Sequence, residues 1–306
     1  MTLDDAPGSR SFGRAMTDVR EGLHMRQLWA HLGWQDIKQR YRRSVLGPFW
    51  ITISQAVIAL GLGILYAALF HTHFETFLPY IVTGFIVWNF ISGCLLEGME
   101  TFISNEGLIK HLPAPLSVYS LRTVWRQTLL FLHTMIVYVV ILVIFFTSLD
   151  HPYSLASPDG TCNNLNGALC HPGIGWTWLL AIPGFMLLAA NAVWASLLLG
   201  IVSTRFRDLP QLIGALVQLM FYMTPIVWPI DQLTQTTGSR HNLAGVILPI
   251  LKLNPLYHFV QVVRGPLLGQ SVSWTSWLAV GLMTVVGWAL AFVALRNYRA
   301  RVSYWV

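Results

Sequence analysis

Four cations occur within six positions of the stretch KQRYRRSVLGPFW, and they are the residues of this sequence with the clearest capacity for chemistry. They are Lys38, Arg40, Arg42 and Arg43. Basic side chains beside a membrane attract the anionic head groups of lipids. Because about twenty uncharged and mainly apolar residues follow this stretch, we predict that the basic cluster anchors the chain at the inner face of a membrane.

Two further pairs of residues have side chains that can react or bind metal. Cys162 and Cys170 share the segment CNNLNGALC, and two cysteines on an oxidising face can form a disulfide. We predict that disulfide, with two free thiols as the alternative. His71 and His73 form an isolated His-x-His pair, which is more typical of a polar loop than of a metal site, so no metal site is predicted.

Ionisable residues are missing where an ion-driven transporter needs them. None of the thirteen acidic residues falls at the middle of an apolar segment, although such transporters must carry charge through the centre of the membrane. Only His133 lies near such a position, and a hydrogen-bonded packing role is the favoured interpretation. An intramembrane glycosyltransferase would have to use Glu97 or Glu100, and the HExxH and GxSxG motifs of other enzymes do not occur.

The usual phosphate-binding loop for ATP is also missing. That loop needs Gly-Lys followed by Ser or Thr, and none of the three lysines, Lys38, Lys110 and Lys252, follows a glycine. We therefore expect no catalytic residue and no cofactor in this chain, and an energy source on a separate protein.

The composition indicates that these residues are positioned by helices in a membrane. The 306 residues are 55% hydrophobic and only 10% charged, whereas a soluble domain carries about 25% charged residues. Six apolar segments are long enough to cross the hydrocarbon layer as helices. They cover residues 50–70, 79–98, 123–147, 176–202, 211–230 and 273–295. We predict an all-α membrane protein with six transmembrane helices.

The distribution of basic residues predicts the orientation. Sixteen of the nineteen Lys and Arg residues lie either before the first span or after the second, fourth or sixth span. All of these positions are on the same side of the membrane. Because Lys and Arg mark the cytoplasmic side, both termini are predicted to be cytoplasmic. Arg240, Lys252 and Arg264 are the exceptions on the outer side. The cations sit at the ends of spans, so they indicate membrane contact and not nucleic-acid binding.

Two non-spanning regions complete the predicted architecture. Residues 1–22 are expected to be flexible, and residues 23–48 to form an amphipathic interfacial helix, with packing against the bundle as the alternative. Its apolar stripe changes face at Gly33, which predicts a bend or two short helices there. Between the fifth and sixth spans, three prolines interrupt an apolar stretch and predict two short re-entrant helices. These prolines are Pro249, Pro255 and Pro266.

Two cytoplasmic loops contain candidate contact residues. The loop SNEGLIKHLPAPLSVYSLRTVW includes a short helix candidate from Glu106 to Leu112 that ends before Pro113. An exposed apolar turn of this kind, flanked by helix breakers, suits docking into a groove of a partner. An ordinary interfacial loop is the alternative. The loop STRFRDLPQ follows the fourth span. We expect its Arg205, Arg207 and Asp208 either to pair with each other or to contact the same partner.

Thirteen tryptophans are present, and some aromatic side chains are candidates for the wall of a conduit. Flat aromatic faces suit the stacking of sugar rings, whereas an aromatic belt at the membrane interfaces is the other interpretation. The candidate conduit residues are Trp88, Trp194, Tyr222 and Trp228.

Four segments together resemble those of a known family, the permease subunits of ABC-2 type polysaccharide exporters for O-antigen, capsule and teichoic acid. The segments are RYRRSVLGPFW, NEGLIKHLPAPLSVY, TRFRD and MTPIVWP with LNPLYHFVQVVRGPLLG. The resemblance covers about residues 23–300, with residues 49–300 as the transmembrane domain and 301–306 as a cytoplasmic tail. More narrowly, LGWQDIKQRYRRSVLGPFW and the tail YRARVSYWV are similar to the mycobacterial permeases for lipid-linked galactan.

The resemblance implies a complex in the bacterial inner membrane. It would contain a homodimer of this permease and two ATP-binding subunits that hold ATP and Mg²⁺, with the conduit between the permeases. The residues it assigns to contact with the ATP-binding subunit are Asn105, Glu106, Gly107, Leu108, Ile109, Lys110, His111 and Leu112 as a coupling helix, with Arg205, Arg207 and Asp208 as a second contact. The implied cargo is a polysaccharide on polyprenyl diphosphate, and the guanidinium groups of Arg40, Arg42 and Arg43 would receive its diphosphate.

Three other classes of protein remain open from the sequence. An ABC-2 permease for teichoic acid, a lipid or a drug is one of them. An intramembrane glycosyltransferase is the second, and a passive channel that needs no partner is the third. Co-purification with an ATP-binding subunit would distinguish the first from the other two.

Overall fold

The chain is almost entirely helical over the residues that the structure, a computed structural model, describes: 11–42, 44–47, 49–111, 114–155, 157, 159, 160, 162, 170–231 and 239–306. No strand occurs among these residues, which confirms the predicted all-α class. The helices are α1 (Phe12–His24), α2 (Arg26–Arg40), α3 (Phe49–Phe70), α4 (Phe74–Glu100), α5 (Glu106–His111), α6 (Leu116–Ile144), α7 (Phe146–Leu149), α8 (Ala181–Arg205), α9 (Leu209–Met223), α10 (Ser239–Leu253), α11 (Pro255–Leu267) and α12 (Trp274–Trp305).

Five of these helices are long and apolar enough to cross a membrane. They are α3, α4, α6, α12, and α8 together with the 3₁₀ turn Trp176–Leu180 that precedes it. Helix α4 is the centre of the bundle: 72% of its apolar window is buried, against 17% for α3. It contacts α3, α6, α8, α9 and α11, so the residues at its two ends have neighbours from most of the chain.

The prediction of six spans is not confirmed, because the fifth predicted span forms a shorter helix. Helix α9 has 15 residues and is therefore about 22 Å long, whereas the hydrocarbon layer is about 30 Å thick. Thr224 ends the helix with an extended backbone (ψ 135°). The residue before a proline disfavours the helical conformation, and Pro225 follows.

The non-helical segment after α9 is held by a buried arginine. Arg264 is 1% exposed, and its Nη1 donates to the Pro225 carbonyl at 2.7 Å. Its guanidinium lies 4.1 Å from the centroid of the Tyr80 ring, and the Tyr80 hydroxyl donates to the same carbonyl at 2.9 Å. Irregular backbone in a membrane protein needs such protein partners. Arg264, predicted to face the outer side, therefore lies inside the bundle.

Two helices, α10 and α11, occupy the segment for which two short re-entrant helices were predicted, and their re-entrant course stays a prediction. Asn254 separates them, and its side chain accepts a hydrogen bond from the Leu256 amide at 3.0 Å. Asparagine at this position followed by proline is a favourable helix start. Pro249 and Pro266, however, lie inside α10 and α11, so only Pro255 marks a helix boundary.

The N-terminal segment differs from the prediction at two positions. Residues 12–22, predicted to be flexible, form most of α1, and the break between the two N-terminal helices lies at Met25 and not at Gly33. Gly33 instead allows α2 to approach α6: a Cβ there would lie 3.0 Å from Trp125 and 3.3 Å from the Arg122 carbonyl. Close packing, and not a bend, accounts for this glycine.

A buried carboxylate explains why α1 is ordered. Asp18 is fully buried, and its two oxygens accept the backbone N–H groups of Leu116 and Ser117 at 3.1 and 3.0 Å. These are the first two residues of α6, whose N–H groups have no partner within their own helix. Arg299 of α12 also pairs with Asp18 at 2.8 Å. One side chain of α1 thus joins the start of α6 to the last part of α12.

We predict that Asp18→Ala destabilises the protein. Each backbone N–H left unsatisfied in the interior costs about 1–3 kcal/mol, and Arg299 loses its carboxylate. The apparent melting temperature in detergent should fall, and limited proteolysis should cleave α1 more rapidly. Glu21→Ala, which removes an exposed carboxylate from the same helix, is the control. Equal melting temperatures for the two variants would contradict the capping role of Asp18.

Candidate functional site at the basic end of the bundle

The candidate site lies where the N-terminal helices, α5, the end of α8 and the end of α12 meet, which we call the basic end. Helix α5 protrudes there, and none of its side chains is buried. The Lys110 ammonium lies 2.5 Å from the Glu106 carboxylate. The hydrogen bond from Lys110 and its charge lower the pKa of Glu106, so that this carboxylate is ionised at neutral pH. Leu112, assigned to the same coupling segment, lies outside the described residues.

Helix α5 presents charged and not apolar side chains to the solvent. Glu106 and Lys110 are exposed, whereas Leu108 and Ile109 are half-buried and pack against the hydrophobic core. The sequence suggested an exposed apolar turn for docking. The bundle itself covers much of that apolar face, so a partner would mainly meet the charged face.

The second candidate loop and the end of the chain lie beside α5. The Arg205 guanidinium is 5.7 Å from the centroid of the Trp305 ring, and Arg207 donates to the Trp305 carbonyl at 3.5 Å. Lys110 donates to the carbonyl of Val306 at 3.1 Å. Asp208 is exposed just before α9. The two loops that were predicted to contact one partner are thus joined through the last two residues.

A partly buried network of charges lies behind α5. Arg122 of α6 donates to both oxygens of Asp36 in α2, at 2.9 and 2.6 Å. Arg126 donates to Asp36 at 2.8 Å and to Glu97 of α4 at 2.5 and 3.1 Å. Gln127 donates to the same Glu97 oxygen at 2.6 Å. We call Asp36, Glu97, Arg122 and Arg126 the ion network, and it joins α2, α4 and α6.

The ion network is well shielded from solvent. The four charged side chains are between 13% and 26% exposed. Burial raises the pKa of Asp36, but the hydrogen bonds and charges of Arg122 and Arg126 outweigh that effect and leave the pKa lowered. Asp36 therefore stays ionised at neutral pH, and both of its oxygens are engaged.

The ion network contacts both sets of candidate residues. Arg122 also donates to the side-chain oxygen of Asn105 at 2.8 Å, directly before α5. On the other side, Arg40 lies 3.5 Å from Glu97 and is 55% exposed. Arg40, Tyr41 and Arg126 line a polar cavity of about 220 Å³. The proposed coupling segment and the proposed diphosphate-receiving residues are thus connected through Arg122, Asp36, Arg126 and Glu97.

Arg42 and Arg43 are the other two residues assigned to reception of the diphosphate. Arg42 is exposed, as expected for a side chain near head groups or substrate. Arg43 lies outside the described residues.

Three of the four candidate conduit aromatics lie near the end of α9. Trp228 donates its indole N–H to the Tyr222 carbonyl at 3.3 Å. Trp88 is buried, 5.6 Å from the ring of Phe221. Tyr222 is 62% exposed. Only Tyr222 of these three presents most of its side chain to the surroundings.

Trp194 lies elsewhere, between α8 and α12. A Cβ at Gly287 would come within 2.0 Å of its indole, so the ring lies flat against the backbone of α12. It lines an apolar cavity of about 470 Å³ that Phe90, Leu188 and Phe259 also border. Asn191 accepts its indole N–H at 2.7 Å. Helix packing accounts for this tryptophan.

At the opposite end, Cys162 and Cys170 are joined by a disulfide with Cα atoms 5.6 Å apart. His171 follows it and pairs with Asp231 at 2.8 Å, which connects this loop to the segment after α9. No group of three or more His, Cys, Asp or Glu side chains that could hold a metal ion occurs among the described residues.

The apolar helices define a multi-pass membrane protein, and comparison with known sequences gives its family. Residues 27–268 match the family of ABC-2 type transporters, and the chain belongs to that family. The O-antigen export system permease protein RfbA of Klebsiella pneumoniae is 24% identical over 221 residues, which cover 70% of this chain and 74% of that protein. The protein of the same name from Myxococcus xanthus is 22% identical over 245 residues, covering 79% and 83%.

Membership of this family has two direct consequences. The chain is a multi-pass protein of the bacterial inner membrane, as the sequence predicted. Permeases of the ABC-2 family normally work with an ATP-binding subunit. The basic end, where α5 protrudes, is therefore the part of this chain to examine for contact with such a subunit.

Sequence reasoning missed the ion network. In the sequence, Asp36 is only one of the acidic residues outside the apolar segments, and Arg122 and Arg126 are two of the sixteen basic residues assigned to the cytoplasmic side. Two signals were available: the arginines are four residues apart and so share one face of a helix, and Glu97 lies near the end of an apolar segment. A charge in such a position needs a partner.

We predict that Asp36→Ala causes a large loss of stability. It leaves the partly buried Arg122 without its main partner. Breaking a fully buried ion pair in this way costs roughly 3–5 kcal/mol, which is the upper bound for this partly buried pair. The apparent melting temperature of the purified permease should fall markedly. Glu106→Ala removes the carboxylate of an exposed pair, and should leave the melting temperature unchanged. A small effect of Asp36→Ala would show that the ion network is not needed for folding.

Proposed function

We propose that this chain is the permease subunit of an ATP-driven exporter that moves a lipid-linked polysaccharide, galactan on polyprenyl diphosphate, out of the cytoplasm. The observation that carries the proposal is the arrangement of the basic end. A protruding charged helix and an exposed basic cluster are joined there by one partly buried ion network. The relatives named O-antigen export permeases support a polysaccharide as the cargo.

The power source is a separate ATP-binding subunit, present in two copies with ATP and Mg²⁺. The sequence contains no Gly-Lys-Ser/Thr loop, so this chain lacks the usual means of binding the phosphates. The contact surface is α5 with its charged pair, with Arg205, Arg207 and Asp208 as the second contact. None of the side chains of α5 is buried, so the charged face of this helix is free to enter a groove in a partner at the cytoplasmic end.

The diphosphate of the cargo is received by Arg40 and Arg42, with Arg43 as the third member assigned from the sequence. Guanidinium groups bind phosphate oxygens through two parallel hydrogen bonds. Arg40 is half exposed and lies beside a polar cavity that Arg126 also lines. The cluster directly precedes α3, at the depth where a lipid head group arrives from the inner leaflet.

The conduit lies between two copies of the permease. Helix α3 is the least buried spanning helix, and α9 exposes Leu212, Leu216, Leu219 and Tyr222 along its length. A second copy that covers these faces would enclose a path beside Tyr222 and Trp228. Trp88 supports that wall from behind, and Trp194 is not part of it.

The alternative functions gain less support from the site. A glycosyltransferase would need a free carboxylate beside an aqueous pocket. Of the two candidates, Glu97 is engaged by Arg126, Gln127 and Arg40, and Glu100 is an exposed side chain at the end of α4. A permease for teichoic acid, a lipid or a drug would use the same α5 surface. Transport of defined lipid-linked glycans by the reconstituted complex separates these cargoes. Export of a lipid or drug without uptake of any lipid-linked glycan would contradict a polysaccharide cargo.

We predict that charge reversal in α5 removes the ATP-binding subunit. Glu106→Lys or Lys110→Glu places like charges against the partner, which opposes association. Co-purification of the subunit with the tagged permease should fall about tenfold, while membrane insertion of the permease stays normal. Unchanged recovery of the complex would contradict the role of α5.

The double variant Glu106→Lys with Lys110→Glu is the matched control. It restores an opposite-charge pair one helical turn apart but inverts the charges that a partner meets. Continued loss of the complex would mean that binding of the partner depends on which charge stands at each of the two positions. Full recovery would mean that the single variants acted only by unfolding α5.

We predict that replacing both Arg40 and Arg42 with Gln reduces export much more than insertion. The variant loses two guanidinium groups, so transport of a polyprenyl diphosphate-linked glycan into vesicles should fall at least about tenfold. The Arg40→Lys and Arg42→Lys variant retains the charge but loses bidentate binding, and should be intermediate. Lys38→Gln, a neighbouring cation, should transport normally. Normal transport by the double Gln variant would remove diphosphate reception from the proposal.

A further inference from the structure

We propose that the last turn of α12, together with Phe206, forms an additional docking surface for the ATP-binding subunit. We call the surface made by Arg205, Phe206, Arg301 and Tyr304 the terminal cleft. This inference rests on the proposed function, because it assumes that an ATP-binding subunit docks at the basic end. It adds Arg301 and Tyr304, which belong neither to α5 nor to the 205–208 loop.

The terminal cleft is an open space with aromatic walls and a positive charge. It has a volume of about 690 Å³ between the ends of α8 and α12. Tyr304 is 92% exposed and Phe206 is 61% exposed. Among the described residues that line the cleft, Arg205 and Arg301 are basic and none is acidic.

The position of the terminal cleft along α12 separates it from the lipid. Helix α12 has 32 residues and is therefore about 48 Å long, longer than a hydrocarbon layer of about 30 Å. Arg296 is the first charged residue of this helix, and Tyr304 lies about 12 Å further along it. At that distance from Arg296, Tyr304 lies beyond the hydrocarbon layer, where a protein partner can bury its ring.

The terminal cleft is continuous with α5. The Val306 carbonyl accepts from Lys110 at 3.1 Å, and the Trp305 ring packs 5.6 Å from Tyr298. The charged face of α5 is therefore in contact with the last turn of α12, to which Tyr304 belongs. The positive charge of Arg205 and Arg301 favours a partner surface that carries carboxylates. Apolar side chains of the partner beside those carboxylates would bury Tyr304 and Phe206 and supply hydrophobic energy.

The first experiment identifies what contacts Tyr304. The photoreactive residue p-benzoylphenylalanine replaces Tyr304 in the full-length permease, which is reconstituted in anionic nanodiscs with the purified ATP-binding subunit. After irradiation, the adduct is identified by mass spectrometry. A covalent adduct with the ATP-binding subunit is the expected result. Adducts only with phospholipid, or only with a second copy of the permease, would overturn the inference.

The second experiment measures the affinity of the permease in nanodiscs for the same subunit. Tyr304→Ala and Arg301→Ala should each weaken binding by about tenfold, and Tyr304→Phe, which keeps the ring, should bind normally. Trp176→Ala removes an aromatic side chain that is 89% exposed at the other end of the α8 segment, and is the matched control. Melting curves of the free permease should be the same for all four.

The two proposals fail in different ways. If charge reversal in α5 abolishes binding while Tyr304→Ala and Arg301→Ala bind like the unmodified chain, the terminal cleft is not a docking surface and the proposed function stands. If the unmodified permease does not bind the subunit at all, the proposed function and this inference fall together.

Discussion

The pairing of two arginines of α6 with two carboxylates is the constraint on which the basic end depends. Arg122 and Arg126 lie on the face of α6 that meets α2 and α4, where solvent is largely excluded. Charges in such a place must be paired, since an unpaired buried charge is strongly destabilising. Asp36 and Glu97 meet that need, and in doing so they fix α2 against the bundle. The basic cluster at the end of α2 is thereby held next to the first span.

The segments on both sides of α5 are also held in place, the first by the ion network and the second by Asp18. Asn105, just before α5, is held by Arg122, and Leu116, at the start of α6, is held by Asp18 of α1. Helix α5 therefore lies between two segments that are tied to the N-terminal helices. Asn105 is tied to Asp36 of α2 through Arg122, and Leu116 is tied directly to Asp18 of α1. A force applied to α5 by a partner would reach α2 through a single guanidinium group. This is a short path between the proposed contact with the ATP-binding subunit and the proposed diphosphate-receiving cluster.

The parts that could be predicted from the sequence are those that depend on local composition. The apolar runs specified the spanning helices, and Glu106 to His111 formed the expected short helix because Pro113 follows it. The parts that could not be predicted depend on distant partners. Helix α1 is ordered through Leu116 and Ser117, almost a hundred residues away, and Gly33 serves α6 and not a bend. Pro225 accounts for the end of α9. Although this proline is a local signal, the apolar residues on both sides of it predicted one continuous span over 211–230.

The composition of the ion network also bears on why Arg40 is suited to an anionic ligand. Three guanidinium groups, those of Arg40, Arg122 and Arg126, share the carboxylates of Asp36 and Glu97. Arg126 and Gln127 take one Glu97 oxygen at short distances, and Arg40 reaches the other only at 3.5 Å. The positive charge is therefore least compensated at the exposed end of the network. The proposed diphosphate would gain Coulomb energy there without breaking the partly buried pairs that join α2, α4 and α6.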